Sequence, residues 1–237
     1  MSRFGFGFGF NKPDYFLTLP FRYGAVAHWD FTDFSKLIEG ATSTDVEGWK
    51  DSTTNAYDLS QPTASEQPTF TQPNGPVVFD GPNDYLEADP ISLVDTATLV
   101  IKLNSDGSAI SSFRRIISNK DGYLKPYGFH IAELQNDSQG LHIRGSGPTQ
   151  FNPTIDTWKD RDSIIAVVFA GTTCSVYLDG VYQTSGTIEP LALSSQPIHF
   201  GGSDDVPNFK GKIYATQIYN QALNATQIAN LTAELNS

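Results

Sequence analysis

The chain has almost no cysteine, few charges and no long apolar run. Cys174 stands alone, and only 17% of the 237 residues are Asp, Glu, Lys or Arg. One cysteine excludes an internal disulfide and every disulfide-stapled scaffold. Set in the run CSVYLDG, Cys174 reads as a buried structural thiol, because free cysteine packs as a small hydrophobe. With no flanking base it is a poor nucleophile. Basic residues number 15 against 26 acidic ones, for a net charge of −11. Such a chain, without a basic cluster, repels phosphates, so no nucleic-acid partner is expected. Nothing approaches the ~18–20 consecutive apolar residues of a membrane helix, so no membrane insertion is expected. The N-terminus does not read as a secretion signal, since glycine interrupts every second position where a continuous apolar segment belongs. Neither a Gly-x-Ser-x-Gly elbow nor an EF-hand pattern occurs.

What is present suffices for one large β-domain. Hydrophobic residues make up 39% of the chain and aromatics 12%, enough to bury a sizeable core at this length. Residues 1–22 differ from the rest. Phe4, Phe6, Phe8 and Phe10 alternate with glycine, so an extended backbone would carry them as one aromatic stripe. A stripe of that kind left in water is sticky, and residues 1–22 read as an anchoring arm that docks on a partner subunit, ahead of a domain over 23–237.

From Gly24 the period is two. Residues 25–31 read as a first strand with Trp29 in the core, and residues 40–76, rich in Thr, Ser, Pro, Asn and Gln, as a long loop with little regular structure. Strands are predicted at 77–80, 84–88, 97–104, 113–119, 127–134, 140–145, 162–170, 173–179, 197–202 and 209–219. Asp106-Gly107, Asp121-Gly122 and Asp179-Gly180 mark turns between them, and the last is a strong hairpin signal. These short strands argue for a sandwich. A closing helix is well specified: Asn224 is a good N-cap, Gln227 stands in capping-box position, and Ile228, Leu231 and Leu235 share one face.

FDGPNDY (Phe79 to Tyr85), YLDG (Tyr177 to Gly180), FKGKI (Phe209 to Ile213) and the closing ALNATQIANL (Ala222 to Leu231) together resemble the concanavalin A-like, laminin-G-type jelly-roll family. Trp49, Asp51, Ser52, Asp58 and Leu59 stand where that family has its W-x-D-x-S…D-L opening. The resemblance runs from Gly24 to Leu235. It implies an all-β fold, a two-sheet antiparallel jelly-roll sandwich with a short C-terminal helix and here an extended N-terminal arm. It also implies a glycan- or protein-binding module.

Similar domains are frequent in bacteriophage fibres, tail appendages and capsid decorations. The expectation is therefore a non-enzymatic structural and adhesive protein on a virion exterior. The arm would hold it to other virion proteins, with a homo-oligomer, a trimer, as the assembly and a host-surface glycan as a further ligand. The alternative is an extracellular, free carbohydrate-binding module, calcium-assisted, or a catalytically inactive laminarinase relative.

The residues allow these expectations to be placed. Laminarinase-type enzymes set E-x-D-x-x-E or E-x-D-x-E along one strand as nucleophile and acid. Here the nearest match, Glu87-Ala88-Asp89-Pro90, ends at a proline and lacks the third acid, so no enzyme is expected. A hairpin turning at 136–139 brings His130 and His142 nearly opposite one another. With Phe129, Ile131, Leu141 and Ile143 toward the core, His130, His142 and Arg144 share the other face as a candidate ligand face. Tyr123 and Tyr127 flank a proline loop as exposed aromatics for stacking on sugars. Trp49 is a further stacking candidate, whereas Trp158 reads as core, and His28 and His199 as ordinary strand residues. The resemblance implies calcium held by loop carboxylates, with Asp204 and Asp205 as candidates, while the Asp80–Asp84 loop is chiefly a structural turn.

Overall fold

A computed structural model describes residues 23–40, 42–70, 75–81, 83–108, 113–119, 128–134, 139–202 and 209–237. Its strands are, in order, β1 (Ala27–Asp30), β2 (Leu37–Glu39), β3 (Val46–Trp49), β4 (Leu59–Ser60), β5 (Thr69–Phe70) and β6 (Val77–Asp80). Then follow β7 (Leu86–Ala88), β8 (Thr96–Ser105), β9 (Arg114–Ser118), β10 (His130–Glu133), β11 (Leu141–Arg144) and β12 (Gln150–Phe151). The last are β13 (Ser163–Ala170), β14 (Thr173–Leu178), β15 (Val181–Thr187), β16 (Ile198–Phe200) and β17 (Lys210–Tyr219), closed by helix α1 (Ala225–Leu235). An eight-stranded sheet runs β15-β14-β13-β8-β17-β6-β5 with β1 also paired to β17, and a nine-stranded sheet runs β12-β11-β10-β9-β16-β7-β4-β3-β2. This is the two-sheet jelly-roll sandwich expected. The Phe4–Phe10 arm lies outside the described residues.

Alternation explains most of the strands. In β17 Ile213 and Ile218 point between the sheets, while Tyr219 points away from them. The central strands β8 and β13 are different: ATLVIKL and SIIAVVF are apolar at nearly every position and buried on both faces. Leu99, Ile101, Ile165 and Val167 fill the inter-sheet core, whereas Val100, Ile164, Ala166 and Val168 meet Ile228 and Leu231 of α1 on the outer side. The helix starts at the expected place: Asn224 accepts from Gln227 N (3.0 Å) and Gln227 Oε1 accepts from Asn224 N (2.8 Å). The β14–β15 hairpin turns through Asp179 and Gly180, both with positive φ (49° and 80°), the pattern that fits the twist of paired strands.

Residues 40–76 correct the expectation of an irregular loop, because they supply β3, β4, β5 and a short 3-10 turn at Ala64–Glu66. What organises them is the Trp49–Leu59 segment. Asp51 is buried and its carboxylate accepts from His28 N (2.9 Å), Thr53 N (2.9 Å), Thr53 Oγ1 (2.6 Å) and Tyr57 N (3.1 Å). Asp58 in turn accepts from Asp51 N (2.9 Å). The two indoles lock the same region, Trp29 Nε1 donating to Tyr57 O (2.8 Å) and Trp49 Nε1 to Asp30 O (2.9 Å). Trp29 meets Phe200 edge-on at 5.1 Å between centroids and Trp49 meets Phe31 at 5.3 Å, and the two phenylalanines meet each other at 6.0 Å. Polar and aromatic contacts thus tie a segment of low β-propensity to β1.

A second aspartate holds the β6–β7 turn, as expected of the Asp80–Asp84 loop: Asp84 Oδ2 accepts from Asp80 N (2.8 Å). Burial, with the Asp80 and Asp45 charges adding to it, pushes the Asp84 carboxyl up to about 6 from its usual 3.8.

Two outcomes follow. Asp51→Ala strips the acceptor from four buried or half-buried donors and should lower unfolding free energy by about 3 kcal/mol, read by urea denaturation, with Asp51→Asn losing less. For Asp84 the folded state keeps a proton that the unfolded chain releases, so stability falls as pH rises from near 3.8 through about 6. Asp84→Asn should therefore stabilise by up to ~2–3 kcal/mol at about pH 7 and by nothing at about pH 3. An equal effect at both pH values would exclude the charge as its source.

Candidate functional site

Strand register aligns one side-chain row across the outward face of the nine-stranded sheet. Ser60 pairs with Glu87, Glu87 with His199, His199 with Ser118, Ser118 with His130, His130 with Arg144, and Arg144 with Gln150. Their sequence neighbours Leu59, Leu86, Ile117, Ile131 and Ile143 point inward, so this polar row is the outer half of the alternation. A second row beside it carries Arg115, Ala132 and His142.

His130, His142 and Arg144 do share the outward face, as expected. The register corrects the detail: Arg144 stands opposite His130 and Ala132 opposite His142, so the imidazoles are diagonal neighbours, edge to face at 5.2 Å. They are not solvent-facing either. His142 is fully buried, His130 and Arg144 nearly so, and Phe113 stacks over His142 at 4.2 Å. His142 Nδ1 donates to Asn152 Oδ1 (2.7 Å) and Arg144 Nη2 to Gly147 O (3.2 Å). This half of the face is a packed polar layer rather than an open platform.

The accessible end of the row lies along β4, β7 and β16. There a cleft of about 310 Å³ is lined by Asp58, Ser60, Glu87, Asp89 and Pro197. Glu87 Oε2 lies 3.4 Å from His199 Nε2, and the Tyr85 ring is 6.2 Å from the imidazole. Three carboxylates and a hydroxyl line the cleft, and the His199 imidazole and the Tyr85 ring stand beside Glu87. Carboxylates accept from hydroxyl donors, and a neighbouring aromatic offers a flat apolar surface. Asp58 is placed here by the same bond to Asp51 N that ties down the Trp49–Leu59 segment.

Other titratable groups are structural. Glu133 is buried at the end of the sandwich between Arg114 (3.6 Å) and Lys159 (3.8 Å) and accepts from Ser105 Oγ. Burial raises its pKa against the pull of Lys159, Ser105 and Arg114. Cys174 is fully buried, and burial pushes its thiol far above the ordinary range. Trp158 is core as expected, but Trp49 is core as well, which removes it as a sugar-stacking residue. Tyr123, Tyr127, Asp204 and Asp205 lie outside the described residues. Among the described residues no three carboxylate, imidazole or thiol groups converge as a metal cluster, and no helix is long and apolar enough to cross a membrane.

The cleft was only partly legible in the sequence. Glu87-Ala88-Asp89 shows the alternation that points two carboxylates the same way, yet as a catalytic motif it is incomplete. Nothing local says that Ser60 and His199 are its neighbours; that depends on long-range strand order.

Solved structures of similar shape share little sequence. Domain 4 of the extracellular arabinanase AbnA from Geobacillus stearothermophilus, solved in complex with arabinotriose, has a TM-score of 0.63 at 16% identity, covering 88% of this chain and 98% of that one. The botulinum neurotoxin serotype G binding domain gives 0.65 at 13% identity, with 90% and 52% covered. Trypanosoma rangeli sialidase gives 0.61 at 15% identity; the chain covers 33% of its length, and 90% of this chain is matched. These likenesses concern the fold. No curated protein sequence matches significantly. The profile described as the concanavalin A-like lectin/glucanases superfamily matches residues 80–229, more than half of the sequence and the stretch that supplies strands β7 to β17, and the chain belongs to that superfamily.

Proposed function

We propose that the protein is a non-enzymatic glycan-binding module whose ligand sits in the cleft formed by Asp58, Ser60, Glu87 and Asp89 beside His199 and Tyr85. The observation that carries this reading is the convergence of outward carboxylates and a hydroxyl next to an aromatic pair at the open end of the polar row. Vicinal hydroxyls of a sugar can donate to one carboxylate in pairs, while the ring's C–H face lies on Tyr85. The arabinotriose complex of the similarly folded arabinanase domain supports the ligand class. Hydrolysis is not part of the reading. Glu87 and Asp89 lack the third acid of the glucanase motif, and Glu87 is engaged with His199.

The setting we propose is the exterior of a virus particle. There the module serves as a structural and adhesive component held to other virion proteins by Phe4, Phe6, Phe8 and Phe10. The Phe–Gly period supports this, since a four-ring stripe needs an apolar partner. A homotrimer is the proposed assembly. A free carbohydrate-binding module is the second reading, favoured by the cleft, which needs no arm.

Two experiments test these claims. A glycan array probed with the full chain, with and without EDTA, should show binding that Glu87→Gln and Asp89→Asn each weaken about tenfold, the loss of one charge-assisted hydrogen bond. Unchanged binding in both variants would move the ligand elsewhere, and EDTA sensitivity would bring calcium into the site. Light scattering should find the full chain oligomeric and a version lacking residues 1–22 monomeric. Two identical monomers would remove the anchoring role of the arm and leave the free module.

A further inference from the structure

The eight-stranded sheet carries a cleft of its own, of about 330 Å³, between the end of β1, the middle of β17 and the last turn of α1. A bulge builds it. Ile213 pairs with Leu103 and Ala215 with Lys102, so Tyr214 is an extra residue with no partner of its own across the ladder. Bulges re-aim side chains. Here the Tyr214 carbonyl turns to accept from Phe31 N (2.9 Å), and the ring forms part of the cleft wall. The phenol is fixed: its hydroxyl donates to Asp162 Oδ1 (2.8 Å), which also accepts from Asn104 Nδ2 (2.9 Å).

Two opposite charges stand beside that ring. Lys102 projects outward from β8, donates to Leu235 O at the helix end (2.5 Å) and holds its ammonium 5.8 Å from the Tyr214 centroid. Of its three donors one is used there. Asp30 shares its row, since Ala215 pairs with Asp30 on one side and with Lys102 on the other. Asp30 Oδ1 accepts from both Thr32 N (2.9 Å) and Thr32 Oγ1 (2.6 Å), and Oδ2 takes no bond within the described protein. The lining therefore offers an oriented acceptor, an oriented donor and an aromatic residue, and Glu234 and Ser237 complete it at the helix end, so carboxylates outnumber the one ammonium.

A sugar ring matches this set. Its hydroxyls both donate, to Asp30, and accept, from Lys102, and its C–H face covers a tyrosine ring. The excess of carboxylate over ammonium disfavours an anionic ligand and leaves a neutral sugar, and the volume lies at the small end of ligand sites, about 300–1,000 Å³, fit for a single ring. We infer that this cleft is a second saccharide subsite, for one neutral sugar unit, bounded by Asp30, Lys102 and Tyr214. The inference rests on the glycan-binding reading above and adds to it that the module is bivalent. The two clefts lie on different sheets of the sandwich, so one short oligosaccharide does not bridge them and each molecule engages two glycan chains.

The test uses the full ¹⁵N-labelled chain, titrated separately with glucose, galactose, mannose, xylose and arabinose and followed by amide NMR shifts. At least one sugar should move the amides of Thr32, Lys102 and Ala215. Asp30→Asn and Tyr214→Ala should each weaken that response tenfold or more, while shifts at Ser60 and Glu87 persist and report that the variant is folded. Shifts confined to Ser60, Glu87 and His199 would overturn the second subsite and leave the first standing. Silence at the Tyr214 cleft with all five sugars, alongside a positive glycan array, would overturn it equally. A negative array as well would fell both readings together.

Discussion

The central strands β8 and β13 are apolar on both faces, and both faces have to be covered. The nine-stranded sheet covers one and α1 the other. Each fully buried aliphatic side chain of this kind contributes about 1.5–3 kcal/mol, so the helix is as much a core element as any strand. Its cap and its apolar face serve that purpose. The same requirement decides where recognition can occur. The middle of the eight-stranded sheet is closed by α1, which leaves its margin at the helix end and the outward face of the opposite sheet.

On that opposite face, register does the arranging. A polar row seven strands wide follows from antiparallel pairing once each strand turns its apolar residues inward. Its middle is packed and its end is open. The packed part, His130 and Arg144 with Arg115 and His142 in the row beside them, is buried, whereas the open part presents carboxylates to solvent. Stability and recognition thus share one row, divided by burial rather than by residue type.

How much of this could be read from the chain depends on the range of the interactions. Asn224 with Gln227, and Asp179 with Gly180, act within a few residues, and their helix cap and hairpin were legible. The alternation in Ile131 and Ile143 against His130 and Arg144 was legible too. Burial of His142 was not, because it comes from Phe113 and Asn152. Trp49 was ambiguous: an indole in a Thr- and Ser-rich segment looks like a loop residue until Asp30 supplies its acceptor and Phe31 its packing. The β3–β5 strands were missed for the same reason. The β3–β4 connection is organised by Asp51 and Asp58, which carry no β signal, and β5 is a two-residue strand paired with β6. The bulge at Tyr214 has no glycine to announce it and emerges only from the register of β17 against β8.

The pairing of β1 with the C-terminal half of β17 has a mechanical side. Ala27 lies opposite Ile218, and the Tyr23 hydroxyl accepts from Asn230 of α1, so the start of the described chain is held against both β17 and the helix. Tension applied at Tyr23 against the body of the domain would pull the antiparallel pair apart from its Ala27 end. The ladder would rupture one hydrogen bond after another, not all at once in shear. The far edge of the domain would feel almost none of that load. A module pulled from that side would yield gradually along one seam, and the Glu87 cleft on the opposite sheet would keep its shape while β1 was stripped away.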